Sequence, residues 1–304
     1  MTESISTPAP LKPALTYEEQ LTRLKDEHNL LIDDDDKAIG ILKQVNYYRL
    51  SGYGLGLTKP DDKEKYVEGI TLEHIFRLYQ FDSALRNLLI HVIEHIEIRL
   101  RAQLSNHLAL KYGSEGYTDP HNFRAQKNKN GTFVHDIILD NFAKECEHQK
   151  NAPFVKHHMN KYGGHFPLWV AVELFTFGNL SSLYSIMLKE DQKAVAALYD
   201  TEAQYLGSWI LALVEVRNIC AHYSRLYNMP LKQTPFLYSE YKKYRGGSPN
   251  KLFPVLLVIK RMLMNNEPWG SFETKLEALM EEYDDVVVLP YIEFPPEWKE
   301  VLSN

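Results

Sequence analysis

The sequence predicts an all-α protein, and three observations carry that prediction. Apolar residues recur every three or four positions through most of the chain. The longest series is Ile75, Leu78, Leu85, Leu89, Val92, Ile96, Leu100 and Leu104, with Asp82 on the same face. That is the period of a helix with one side in a core. Helix-start signals are present, as at Thr16 with Glu19 three residues on. Only Val286-Val287-Val288-Leu289 has the β-branched character of a strand.

Taken in order, residues 1–15, with Pro8, Pro10 and Pro13, read as a flexible extension. Thr16 caps a first helix carrying Leu21 and Leu24. The run Asp33-Asp34-Asp35-Asp36 precedes a helix expected over 38–50, where carboxylates complement the dipole. Four adjacent carboxylates lack the spacing and the glycine of a calcium loop. The helix ends in Tyr47-Tyr48-Arg49-Leu50-Ser51-Gly52-Tyr53, an aromatic group of the kind that packs at helix ends. A long helix is expected over 71–112. On it Glu94, Glu97 and Arg101 fall within about 60° of one another. They read either as a Glu97–Arg101 surface pair or as carboxylates that hold an arginine from another helix.

Residues 113–131 form a loop, and helices follow over 133–148 and 152–162. His148, His157, His158 and His165 match no zinc spacing, so the sequence assigns no metal and no cofactor. Pro167 opens a helix through Trp169, Glu173, Leu174 and Phe177 that breaks near Gly178-Asn179 and resumes to Leu188. A central helix is expected over 203–226. Tyr241-Lys242-Lys243-Tyr244-Arg245-Gly246-Gly247 reads either as solvated surface, the usual role of a charge run, or as the best local patch for a phosphate backbone. Helices over 252–264 and 271–283 and a proline-punctuated tail with Trp298 close the chain, without an internal repeat.

Composition bounds the function. With 44% hydrophobic and 24% charged residues among 304, the chain is of the soluble globular class and can bury a large core. A net charge of -6 excludes coating nucleic acid by bulk electrostatics, so any such role rests on a local patch. Cys146 and Cys220 cannot form a disulfide framework, which fits a reducing compartment. Residues 1–12 lack the regions of a signal peptide, and no apolar run reaches the roughly 20 residues of a membrane span. A cytoplasmic location without membrane contact is expected.

The residues that bear chemistry are Arg217-Asn218-Ile219-Cys220-Ala221-His222, continuing as Tyr223-Ser224-Arg225-Leu226-Tyr227-Asn228 ahead of Pro230. A guanidinium, an amide and an imidazole supply what RNA cleavage needs: phosphate binding, positioning and proton transfer. The spacing alone is unspecific, since Arg86-Asn87-Leu88-Leu89-Ile90-His91 repeats it in mid-helix. On an ideal helix His222 shares a side with Asn218 and Arg225. Arg217 projects about 140° away, against the apolar stripe. An unpaired guanidinium there is costly, so Arg217 needs an acidic partner, with Glu94, Glu97 and Glu173 as candidates.

The 217–228 stretch resembles the signature of AbiD/AbiF-type abortive-infection proteins, whose core is a HEPN domain with an arginine, four to six residues and a histidine. Tyr47 to Tyr53, the Glu94 to Arg101 helix, and Trp169 through Phe177-Gly178 agree with that family in order and spacing. The resemblance runs from about residue 21 to 263, and residues beyond carry no matching motif.

It implies a HEPN-type helical bundle with additional N- and C-terminal helices. After the extension, residues 16–304 form one domain, with the HEPN core at about 71–230 and a C-terminal helical part at about 236–304. It further implies a bacterial antiviral or toxin-like ribonuclease, possible partnership with a small regulatory RNA, and face-to-face homodimers. Arg217 and His222 match the catalytic pair and Asn218 the polar residue beside the arginine. Glu94, Glu97, Arg101, Tyr223, Arg225, Lys242, Lys243 and Arg245 are the supporting or RNA-binding candidates. The rival expectations are an RNA- or protein-binding sensor without catalysis and, more remotely, a DNA-binding regulator, for which no basic helix-turn-helix is evident.

Overall fold

The first helix begins where the sequence places its cap. In the computed structural model, described over residues 11–244, 251–263 and 267–303, a capping box heads α1 (Tyr17–Asp26). The Thr16 hydroxyl accepts from the Glu19 amide at 3.2 Å, and the Glu19 carboxylate accepts from the Thr16 amide at 2.7 Å. Asp34 caps α2 (Asp35–Gln44) by accepting from the Lys37 amide at 2.9 Å, and Asp35 pairs with Lys25. The acidic run is thus a helix start.

The continuous helix expected over 38–50 is corrected. Val45 is extended, with φ −134°, and Asn46 starts α3 (Tyr47–Ser51) by accepting from the Tyr48 amide at 2.8 Å. A side-chain cap, rather than glycine or proline, makes this break.

The chain divides into two compact units, Met1–Phe81 and Asp82–Asn304. In the first, α1 packs on α2, Leu31 pairs with Thr71 and Thr58 with Tyr66 as isolated bridges, and Tyr53 meets Tyr79 edge-on. Gly54 lies under the Tyr66 ring so closely that an added Cβ would stand 2.5 Å from it.

The second unit is built around α4 (Leu72–Tyr112), whose 41 residues begin in the first unit. Leu85, Leu89, Val92, Ile93, Ile96, Leu100, Leu104 and Leu108 are all buried. The expected seam is the core of the unit. α5 (Val134–His148) and α6 (Pro153–Lys161) match expectation.

The helix opened by Pro167 is shorter than expected: α7 (Leu168–Ala171) passes into a 3-10 turn over Val172–Leu174. The Thr176 hydroxyl then accepts from the Asn179 amide at 3.1 Å and starts α8 (Phe177–Ile186), so the break precedes Phe177, and Gly178 and Asn179 lie inside a helix. The sequence reading did not anticipate α9 (Lys189–Ala197). α10 (Ala203–Ala221) packs on α8, α9 and α11 (Phe253–Leu263). α12 (Glu267–Glu282) and α13 (Trp298–Ser303) follow.

The strand suggested at 286–289 is absent. The amides of Val286 and Val287 bond to Tyr283 O at 3.1 and 3.0 Å, and the Val288 amide donates to the Tyr227 hydroxyl at 3.0 Å. Satisfied this way, they have no use for a partner strand. Among the described residues the fold is all-α, with only isolated bridges, and no helix is long and apolar enough to cross a membrane.

Candidate functional site

The motif lies at the C-terminal end of α10, and the way that helix stops determines its geometry. Leu206, Trp209, Leu213, Val216 and Cys220 are buried along one face, as their spacing predicts. The helix ends at Ala221, five residues short of expectation. His222 is its cap. Tyr223 adopts a left-handed conformation, with φ 54°. The Tyr223 amide bonds to Cys220 O at 3.2 Å and the Ser224 amide to Ile219 O at 3.0 Å. These two bonds form a Schellman motif with tyrosine where glycine is usual.

A second anchor holds the chain beyond the turn. The Asp82 carboxylate, fully buried on α4, accepts from the amides of Leu226 and Tyr227 at 3.1 and 2.7 Å and pairs with buried Arg86. Those amides are therefore unavailable to continue the helix. Sequence reasoning placed Asp82 in an apolar seam and Arg86 in a decoy motif. The signal for their role was a carboxylate in that seam four residues before an arginine. Cys220 is buried, and burial pushes its thiol up to about 12, so it is no nucleophile at neutral pH.

Arg217 has the acidic partner its position requires. Its Nε lies 3.5 Å from Glu97 Oε2, while Glu97 Oε1 binds Arg101, which also donates to Val172 O. Glu97 is 8% exposed, so one buried carboxylate serves two guanidinium groups. Nη1 of Arg217 points at Asn218 Oδ1, 3.5 Å away. A cleft of about 430 Å³, lined by Ile90, Glu94, Glu97, Ile98 and Arg217, opens on this pair. Arg217 keeps 34% of its side chain exposed there. Glu94 lines the cleft with its side chain in solvent, and Glu173 is exposed. His222 and Asn218 are exposed at the helix end. The His222 ring makes no hydrogen bond among the described residues.

The remaining candidates are not gathered here. Arg225 follows the helix instead of completing its last turn, and its Nη2 lies 3.0 Å from Met229 Sδ, so the helical spacing that grouped it with His222 does not apply. Tyr223 is 69% exposed, next to His222. Lys242 and Lys243 lie on an exposed 3-10 turn, Ser239–Tyr244. The segment leading to it runs back along α10. The amides of Lys232 and Gln233 bind Glu215 at 2.8 and 2.7 Å, the Phe236 amide binds Ser208 Oγ at 2.9 Å, and Trp209 Nε1 donates to Phe236 O at 2.7 Å. That path brings Phe236 to Ser208 and Trp209, in the far half of α10, and Trp209 lies about 20 Å from His222 at 1.5 Å per residue. Arg245 lies outside the described residues.

A model of the family described as Abi-like protein matches residues 40–228, from within α2 to just past the turn held by Asp82. The chain belongs to the Abi-like protein family. Membership links it to abortive-infection defence. Comparison with curated proteins and with solved structures gives no match. The matched span of this Abi-like protein includes Asp82, Glu97, Arg101, Arg217 and His222 and stops before the strap that carries Lys242 and Lys243.

Proposed function

We propose that this Abi-like protein is a metal-independent endoribonuclease of bacterial antiphage defence, built on a HEPN-type core and acting as a homodimer. The observation that supports this most is a guanidinium, Arg217, that Glu97 holds at the lip of an open cleft, with an accessible imidazole, His222, five residues on at the helix end. A ribose 2′-hydroxyl attacks the adjacent phosphorus while its proton passes to an imidazole. The P–O5′ bond breaks, and the leaving 5′-oxygen takes a proton from a second imidazole. The products are a 2′,3′-cyclic phosphate and a 5′-hydroxyl. DNA lacks the nucleophile. Arg217 stabilises the charge on the phosphorane and Asn218 orients the phosphate, so no metal is needed for either task. One motif histidine per chain supplies one proton carrier, and two copies meeting at the 217–222 segments supply both.

The test is cleavage of end-labelled RNA in chelator by wild type, Arg217→Ala and His222→Ala. Equal cutting by all three, or a strict need for a divalent ion, rejects the mechanism.

A second reading, an RNA-binding sensor without catalysis that is partnered by a small regulatory RNA, is favoured by one observation. Within a single chain the five-residue spacing turns Arg217 and His222 about 140° apart. RNA binding without cleavage by a sedimentation-verified dimer selects that reading.

A further inference from the structure

The basic, aromatic segment before residue 245 does not join the 217–222 motif, and its surroundings point to another task. Beside it in the same unit is a cavity of about 550 Å³, within the range of small-molecule sites. One wall carries Phe236, 49% exposed, and the partly exposed ring of Tyr241, with Tyr238 beside them, stacked on Tyr205 at 4.6 Å between centroids. Aromatic faces presented to a concave space suit a flat, conjugated ligand.

α11 also lines the cavity, with Lys260 and Arg261. The Arg261 guanidinium sits 5.7 Å from the Tyr238 ring centroid and 3.1 Å from Asp200 Oδ2, which fixes its plane and leaves donors over. Lys260 makes one long bond, 3.4 Å to Val301 O, among the described residues. Burial pushes its ammonium below the ordinary lysine value, as for a cation short of partners, against a weaker upward pull from Glu273. Two carboxylates, Asp200 and Glu240, also line the cavity and repel a highly charged ligand. The complement is one ring system with one anionic group.

We propose that this cavity binds a single nucleotide unit, its base against Phe236 and Tyr241 and its phosphate on Lys260 and Arg261. Lys242 and Lys243, on the same turn as Tyr241, add positive potential nearby. Trp209 in the cavity wall lies about 20 Å up α10 from His222, so the site is separate from the motif and does not depend on the ribonuclease reading. The unit comes either as a free mononucleotide or as one residue of an RNA strand.

The test is a titration of the full chain followed by tryptophan fluorescence, since Trp209 and Trp269 line the cavity. The probes are the ribonucleoside monophosphates, their nucleosides, inorganic phosphate and a mixed-sequence short RNA. At least one monophosphate is expected to quench saturably and to bind about tenfold tighter than its nucleoside or phosphate alone. Lys260→Met and the more exposed Tyr241→Leu each weaken binding about tenfold with circular dichroism unchanged. Short RNA that binds tighter than any monophosphate, and is displaced by one, identifies the strand as the source. RNA that binds no tighter identifies the free nucleotide. No saturable quenching by any monophosphate or by RNA overturns the proposal, as does quenching that both variants leave intact. Cleavage is not the readout, so failure here is distinct from failure of the nuclease reading.

Discussion

Glu97 holds two arginines at once, Arg217 through Oε2 at 3.5 Å and Arg101 through Oε1. Replacing it by glutamine keeps the volume and removes the charge. Glu97→Gln is expected to cost about 1–3 kcal/mol of stability and, by loosening Arg217, to lower RNA cleavage about ten- to hundredfold. Urea denaturation and a cleavage time course measure the two effects. Unchanged cleavage would mean that the pair is only structural.

His222 presents the opposite case. Its ring is exposed and makes no hydrogen bond among the described residues, so His222→Ala is expected to change stability by less than about 0.5 kcal/mol. Cleavage should fall by about 100-fold or more. A melting curve beside the RNA assay separates lost chemistry from lost fold.

Tyr223 occupies the left-handed position of the helix stop. Glycine and alanine both delete the ring, but only glycine adopts φ 54° without steric cost. Tyr223→Gly is therefore expected to be more stable than Tyr223→Ala by about 1 kcal/mol, as read from paired urea midpoints. If the ring stacks on RNA, both variants weaken RNA binding equally.

Asp82→Ala leaves Arg86 buried beside a missing carboxylate and takes the acceptor from the amides of Leu226 and Tyr227. The expected loss is about 3–5 kcal/mol, with increased hydrogen exchange at those two amides.

Asp191 binds Lys111, Tyr112 and His107. Burial raises its pKa, but these three bonds together outweigh burial and hold the carboxyl below its ordinary 3.8. A depressed carboxyl contributes stability above the unfolded value and loses it as pH falls through the folded one. Wild type is thus expected to be more stable than Asp191→Asn at neutral pH. The gap should close as acid denaturation is followed below the ordinary carboxylate range.

What was legible in the sequence was local or rested on desolvation. The Thr16–Glu19 box and the seam of α4 are written in spacings of three and four. The need of Arg217 for a carboxylate followed from its place on the apolar side, and Glu97 was among the three candidates. Asn46 and Thr176 break their helices by local caps, but two other failures depended on remote partners. Pro230 suggested a helix running to 226, but Asp82, far earlier in the chain, captures the amides that such a helix would use. The sequence singles out Lys242 and Lys243 as a basic patch but not where it lies, which Glu215, Ser208 and Trp209 decide by drawing the intervening segment back along α10. α9 escaped notice because its starting run, Lys189-Glu190-Asp191-Gln192, is polar, and its fold contribution includes the buried Asp191.

Asp82 and Glu97 sit on one uninterrupted rod and grip opposite ends of the same short stretch, residues 217–227. The rod therefore acts as a gauge. One codon inserted between those two acids would swing the second by about 100° and lengthen the gap by about 1.5 Å, so that only one grip could close. Length variation within this family should accordingly spare that interval and collect in the turns on either side.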